Sequence, residues 1–267
     1  MYSKRIFLTL CMLIGSIISP PLWGSEKIAR LATLIDYSPF CFKKGNLPLM
    51  DNEIILPGSD SKVLQGYSWD VTRESLHNQG YTIHLTVAPW KRSLEYMENN
   101  KVDALFPTSK NEERLKKYNY AKEEINNIVH VVYVRNDSSI KWRGIESLHG
   151  KVIAVIRGWN YNIKWKEDNL IDKYPVNLQK QAFEMVKAKH VDGFAGAEIV
   201  QDHYLHEHGM TGKFKKLPPF NAIPEYLTGL KTNPRLIKIL DAFDVGKNAI
   251  KRNGTLDKIK DKWGISN

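Results

Sequence analysis

An α/β fold is what this sequence of 267 residues predicts. Short apolar runs alternate along it with segments whose apolar residues recur at helical spacing, the pattern of strands and helices in succession. Two stretches echo each other. Residues 94–106, "LEYMENNKVDALF", and residues 182–195, "AFEMVKAKHVDGFA", each read as amphipathic helix, polar turn, Val-Asp and apolar strand. That echo supports two lobes of similar build.

The elements follow in order. Residues 1–24 read as a secretory signal peptide: Lys4 and Arg5, an apolar run Ile6–Ile18 too short to span a bilayer, then Pro20, Pro21 and Gly24. An exported, periplasmic chain is expected. Lipidation at Cys11 is disfavoured because Leu10 precedes it where a small residue is needed. Leu31–Ile35 reads as a strand, Ser68–Asn78 as a helix with Gly80 as its C-cap, and Tyr81–Val87 as a strand. Trp90, Leu94 and Met97 stripe a helix, and Val102–Phe106 is the next strand. In the second set, Val152–Ile156 and Val191–Ala195 read as strands, Ala182–Ala188 and Glu198–Glu207 as helices. Leu236, Leu240 and Phe243 stripe a long helix. Asn253-Gly254 stops it, Thr255 is expected to cap the next, and Leu256, Ile259 and Trp263 stripe that one. Lys43–Gly66, with Gly45, Pro48, Pro57 and Gly58 and no period, reads as a long surface loop.

Composition narrows the function. Removing Lys4 and Arg5 leaves 37 basic against 29 acidic residues, a net charge of +8. The lysines spread along the whole chain with no basic stripe interleaved with aromatics, which argues against a nucleic-acid partner. Once the leader is removed only Cys41 remains, so an intramolecular disulfide is excluded and the core has to suffice. Between Phe40 and Phe42, Cys41 reads as a buried filler. "HYLHEH" places His203, His206 and His208 at a spacing that suits an exposed helix end better than a metal site. No phosphate loop and no Ser/His/Asp pattern is visible, and no cofactor is implied.

Seven segments together carry a resemblance: "YSPFCF" (37–42), "LQGYSWDV" (64–71), "APWKRSLEYMENNKVDALFP" (88–107), "EERLKKYNYA" (112–121), "LHGKVIAVIRG" (148–158), "HVDGFAGAEIV" (190–200) and the tail from Tyr226 to Trp263. In order and spacing they resemble the periplasmic solute-binding proteins of family 3, the polar amino-acid type. The resemblance implies a two-lobe periplasmic-binding-protein fold of type II with a ligand cleft between the lobes. It implies that residues 25–124 and 227–267 form lobe one and residues 125–226 form the crossing strands and lobe two. The crossings fall near Glu124–Ile128 and Ile223–Tyr226. It also implies a monomer that closes on its ligand and delivers it to the membrane permease subunits of an ABC importer.

The same resemblance nominates site residues. Arg114 is expected to grip a ligand carboxylate, because a guanidinium offers a planar fork that matches two oxygens. The alternative is a solvated ion pair with Glu112 or Asp103. Thr108 can add a hydroxyl, and the N–H groups opening the following helix add partial positive charge. Tyr37 and Trp90 match aromatic walls of the family's cleft, against the alternative of core packing. Trp159 stands where a small hydroxyl residue is common, and Asn160 either touches ligand or caps a helix. Amino-acid binders typically hold the ammonium with an Asp where this chain has Ala197, which leaves Glu198 as the neighbouring acid. The ligand is therefore expected to be a small carboxylate-bearing solute, with or without an ammonium. Two further functions share the fold: an enzyme like the cyclohexadienyl dehydratases, which needs a general acid in the cleft, and a sensor that presents its ligand-bound form to a membrane receptor.

Overall fold

The computed structural model describes residues 27–45, 48, 52–157, 159, 161 and 163–265. The leader and Asn160 lie outside the described residues. The chain opens with β1 (Ile28–Thr33) and a small antiparallel sheet of β2 (Asp36–Tyr37), β3 (Cys41–Lys43) and, later, β5 (Leu64–Gln65), with β4 (Glu53–Ile55) between the last two. Helix α1 (Tyr67–Asn78), β6 (Thr82–Val87), α2 (Trp90–Glu98), β7 (Ala104–Ser109), α3 (Glu112–Lys117) and β8 (Tyr118–Tyr120) follow. Strand β9 (Asn126–Arg135) leads into β10 (Val152–Ile156), α4 (Ile163–Glu167), β11 (Asp172–Val176), α5 (Gln179–Lys187), β12 (Gly193–Ala197), α6 (Glu198–Glu207) and β13 (Phe214–Lys216). Strand β14 (Asn221–Leu230) returns, and α7 (Leu236–Arg252) and α8 (Thr255–Trp263) close the described chain.

The main sheet runs β11-β10-β12-β9-β14-β7-β1-β6-β4. Each end of it is a parallel α/β unit: β1 pairs in parallel with β6 and β7, and β10 with β11 and β12. At the centre β9 and β14 run antiparallel, with Asn126 opposite Glu225 and His130 opposite Asn221. These two strands join the lobes, as the two-lobe fold class requires. Separate apolar clusters fill the two ends, one around Trp69, Phe106 and Phe243, another around Tyr133, Phe183 and Phe194. The first cluster also takes in Ala197 and Val200, so beside the two strands and the cleft the lobes share an apolar contact.

Lobe one is completed by the tail. Helix α7 lies so close on α1 that a Cβ at Gly246 would clash with the Ser75 carbonyl, so only glycine permits this approach. Asp70 of α1 accepts hydrogen bonds from Lys262 Nζ (2.7 Å) and Trp263 Nε1 (2.8 Å) of α8. Cys41 is fully buried and free, the filler that the sequence suggested.

Two expectations need correction. Residues 43–66 are not a structureless loop: β4 adds an antiparallel strand to β6, and Ile55, Val63 and Leu64 are buried. The Ser61 hydroxyl, donating to Glu53 at 2.6 Å, folds the segment back on itself. Nor does Thr255 cap α8. Gly254 holds the cap position in a left-handed conformation, and the Asn253 side chain accepts from the Thr255 N–H at 3.0 Å. The open φ of the glycine lets the chain turn sharply enough for the preceding residue to take over the capping.

Candidate functional site

The carboxyl ends of β1 and β7 set the site. The Thr33 hydroxyl donates to the Phe106 carbonyl at 2.7 Å, which ties the two strands together. Ser93, buried in the first turn of α2, donates to the Thr33 carbonyl at 2.8 Å and pins Trp90 beside that edge. Strand β7 runs on through Pro107 to Ser109, so Thr108 is a strand residue opposite Tyr226, and Ser109 lies opposite Glu225.

A cavity of about 430 Å³ opens at this edge. Tyr37, Trp90, Thr108 and Arg114 line it from lobe one, His130 and Glu225 from the crossing strands, and Arg157 and Trp159 from lobe two. That volume suits a small organic molecule. Tyr37 and Trp159 meet edge to face across it, 6.4 Å between ring centres. Beyond β10, the Tyr161 hydroxyl pins the chain by taking the Ile156 N–H at 3.1 Å and donating to the Ala195 carbonyl at 3.0 Å.

Arg114 lies in the first turn of α3. Its Nη1 donates to the Ser109 carbonyl (3.0 Å) and hydroxyl (3.3 Å), and its guanidinium sits 5.6 Å from the centre of the Trp90 ring. Among the described residues no ion pair involves Arg114. Asp103 is engaged elsewhere, with Arg30 at 2.6 Å and Arg235 at 3.3 Å. The N–H of Arg114 is taken by the Asn111 side chain at 2.8 Å, so the helix start offers less free donor capacity than expected. Thr108 is 1% exposed, and its hydroxyl has no hydrogen-bond partner among the described residues. An unmet buried hydroxyl at a cavity wall favours a polar ligand atom there.

Glu198 does not share this cavity. It opens α6 and pairs with Lys216 at 2.7 Å, beside a second cavity that also holds Asp202 and Lys247. Ala197 is fully buried in the ladder opposite His130, so lobe two presents no carboxylate at that position. Among the described residues two acids line the cleft, Asp36, exposed on lobe one, and Glu225 on the second crossing, which is not among the residues nominated from the sequence. Its Oε2 accepts from Asn126 Nδ2 at 2.8 Å and from the Tyr37 hydroxyl at 3.4 Å. A lone acid in the apolar second crossing, "AIPEYL", is the signal that marked it.

Burial pushes the Glu225 carboxyl up to about 7, against the hydrogen bonds from Asn126 and Tyr37 and the positive charge of Arg114. Burial takes His130 down to about 4, so it is neutral at pH 7. Between about pH 4.5 and 7 the folded chain keeps a Glu225 proton that the unfolded chain has released, so stability falls as pH rises across that window. Ligand-free Glu225→Gln is therefore expected to melt above the parent at pH 8 and level with it at pH 4. Equal melting temperatures at both would contradict the raised carboxyl.

The sequence profile of the bacterial extracellular solute-binding proteins, family 3, matches residues 57–266. The chain belongs to this family. No curated protein sequence matches it. Its fold is that of solved solute-binding proteins. It is similar to a probable amino-acid ABC transporter extracellular-binding protein from Bacillus subtilis, with 20% identity, a TM-score of 0.71, and coverage of 90% of this chain and 99% of that one. It is also similar to a histidine kinase sensor domain with similarity to periplasmic binding proteins (18% identity, TM-score 0.69, 89% and 96% covered). A third likeness is to an ancestral amino-acid-binding protein described as a precursor of cyclohexadienyl dehydratase (18% identity, TM-score 0.64, 89% and 95% covered). Among the described residues, this family member has no helix long and apolar enough to cross a membrane.

Proposed function

We propose that this family 3 protein captures a small carboxylate-bearing solute in the cleft between its lobes and passes it to an ABC importer. Arg114 is the carboxylate clamp, with Thr108 as a second donor and Trp90, Tyr37 and Trp159 as the walls. The observation that carries the reading is a guanidinium lining an aromatic-walled cavity and joined by no ion pair among the described residues. Water excluded by those rings strengthens charge-assisted hydrogen bonds inside. Residues 25–124 and 227–267 act as one rigid lobe and the middle of the chain as the other, and closure about β9 and β14 traps the solute. The protein works as a monomer in the periplasm, after residues 1–24 are removed, and returns its ligand unchanged.

The test is a melting-temperature screen of refolded, solute-stripped protein against amino acids, organic acids without an amine, and amines without an acid. A ligand at 100 times its Kd stabilises by roughly 2.7 kcal/mol, a shift of several degrees. Carboxylate-bearing compounds are expected to raise the melting temperature and amines alone to leave it unchanged. A screen in which only amines raise it would end the clamp reading.

A further inference from the structure

We propose that Glu225 receives a cationic group of the ligand, so that the solute is a zwitterion with its carboxylate on Arg114 and its ammonium on Glu225. This rests on the Arg114 reading and adds the second charge.

Three observations carry it. First, the register of β14 on β7 places Glu225 opposite Ser109, and Ser109 is the residue whose carbonyl and hydroxyl hold the Arg114 guanidinium. The acid on β14 and the base on α3 are thus both held at Ser109 and line one cavity, yet no ion pair joins them. Opposite charges held near each other without closing leave room for a molecule that carries both. Second, the hydrogen bonds from Asn126 and Tyr37 both end on Oε2, and none of the described residues donates to Oε1. The carboxylate is anchored by one oxygen while the other stays available, an arrangement that fixes its direction. Third, among the described residues lobe two offers no acid of its own at this cavity. Ala197 is buried and apolar, and Asp36, the other carboxylate on the lining, is exposed on lobe one.

A buried carboxylate costs free energy unless a cation meets it. Arg114 from α3, the phenol of Tyr37 and the amide of Asn126 act on Glu225 directly, Asp36, His130 and Arg157 line the same cavity, and the Cys41 thiol is nearby. Burial keeps the phenol, the thiol and the imidazole neutral at pH 7, so Glu225 is the group in this set that an ammonium would ionise. An arriving ammonium therefore displaces a proton.

The experiment compares each common L-amino acid with its 2-oxo and 2-hydroxy counterpart, by titration calorimetry on refolded protein, for the parent, E225Q and R114A. In the parent the amino acid is expected to bind at least about 30-fold more tightly than its amine-free counterpart, because a site built to pair a group rejects the analogue that lacks it. E225Q is expected to weaken the amino acid at least about 10-fold while holding the amine-free acid within about threefold, and R114A to weaken both. Near pH 7, buffers of different ionisation enthalpy should report proton release for the parent and none for E225Q, a readout that a merely structural Glu225 would not move. The proposal is overturned if no ammonium-bearing probe binds, if the amine-free acids bind as tightly, or if E225Q keeps the parent's preference. In those cases a loss in R114A still supports the clamp. If R114A binds as the parent does, the clamp fails, and the zwitterion with it.

Discussion

Arg114→Ala is expected to weaken ligand binding by roughly 2–5 kcal/mol, about 30-fold or more, with little change in the stability of the empty protein. The loss has two parts. The ligand carboxylate loses a charge-assisted fork of hydrogen bonds, and it stays buried against Trp90 and Tyr37 without the cation nearest those rings. The empty protein loses little because, among the described residues, the Arg114 side chain donates only to Ser109, and it leans on the Trp90 ring and is half-buried. Arg114→Lys restores the charge without the fork, so its affinity falls between the two. Titration calorimetry with the best compound from the melting screen decides it. Binding within threefold of the parent would show that Arg114 faces the cleft without using it.

The second large effect lies away from the cleft. Asp103→Ala is expected to cost roughly 2–3 kcal/mol of folding stability, because it removes a charged acceptor from the Arg30 N–H and the Asn233 amide, while the half-exposed Arg30 and Arg235 side chains can turn to water. Asp103 is 0% exposed. Its oxygens accept from the Arg30 N–H (3.0 Å), Nε (3.1 Å) and Nη2 (2.6 Å) and from Asn233 Nδ2 (3.3 Å), and Arg235 lies 3.3 Å away. One carboxylate thus ties β1 to the start of β7 and to the returning tail. Burial, the largest single influence, opposes its ionisation, but the hydrogen bonds from Arg30 and Asn233 and the Arg30 charge together outweigh it and hold the carboxyl below the usual range. Its contribution is therefore whole above about pH 4 and fades as pH falls through the lowered value. Urea unfolding at pH 7 measures the loss, and a change under about 1 kcal/mol would mean that the tail docks without it.

Much of this was legible in the residues. Val152–Ile156 and Glu198–Glu207 coincide with β10 and α6 because an apolar run and a helix start are local signals. The stripes of Leu236, Leu240 and Phe243 and of Leu256 and Ile259 mark the buried faces of α7 and α8 for the same reason. Strands β4, β8 and β13 were not legible: each has three residues and exists because a partner strand is already in place. In the cleft, Tyr37, Trp90, Thr108, Arg114 and Trp159 come together in one cavity. Glu198 does not, although it follows Ala197 directly. At the strand-to-helix junction successive side chains turn about 100° apart, so a neighbour in sequence leaves the site and finds Lys216. Glu225 is the converse, since only the register across two antiparallel crossings brings it beside Tyr37 and Ser109.

The docking of α7 and α8 on α1 also dictates an order of events as the chain is made. Lobe two is nearly contiguous, from β10 through β13, and can assemble as soon as those residues emerge from the ribosome. Lobe one cannot. Trp69 and Leu76 of α1 belong to the same core as Phe243, Ile250 and Leu256, and Asp70 waits for Lys262 and Trp263. At about 5–20 residues per second, roughly ten to forty seconds pass between synthesis of α1 and of α8. Through that interval the faces of Trp69 and Leu76 that α7 and α8 will cover stay open, so a chain that stops short of α7 is expected to expose apolar surface that the full chain buries.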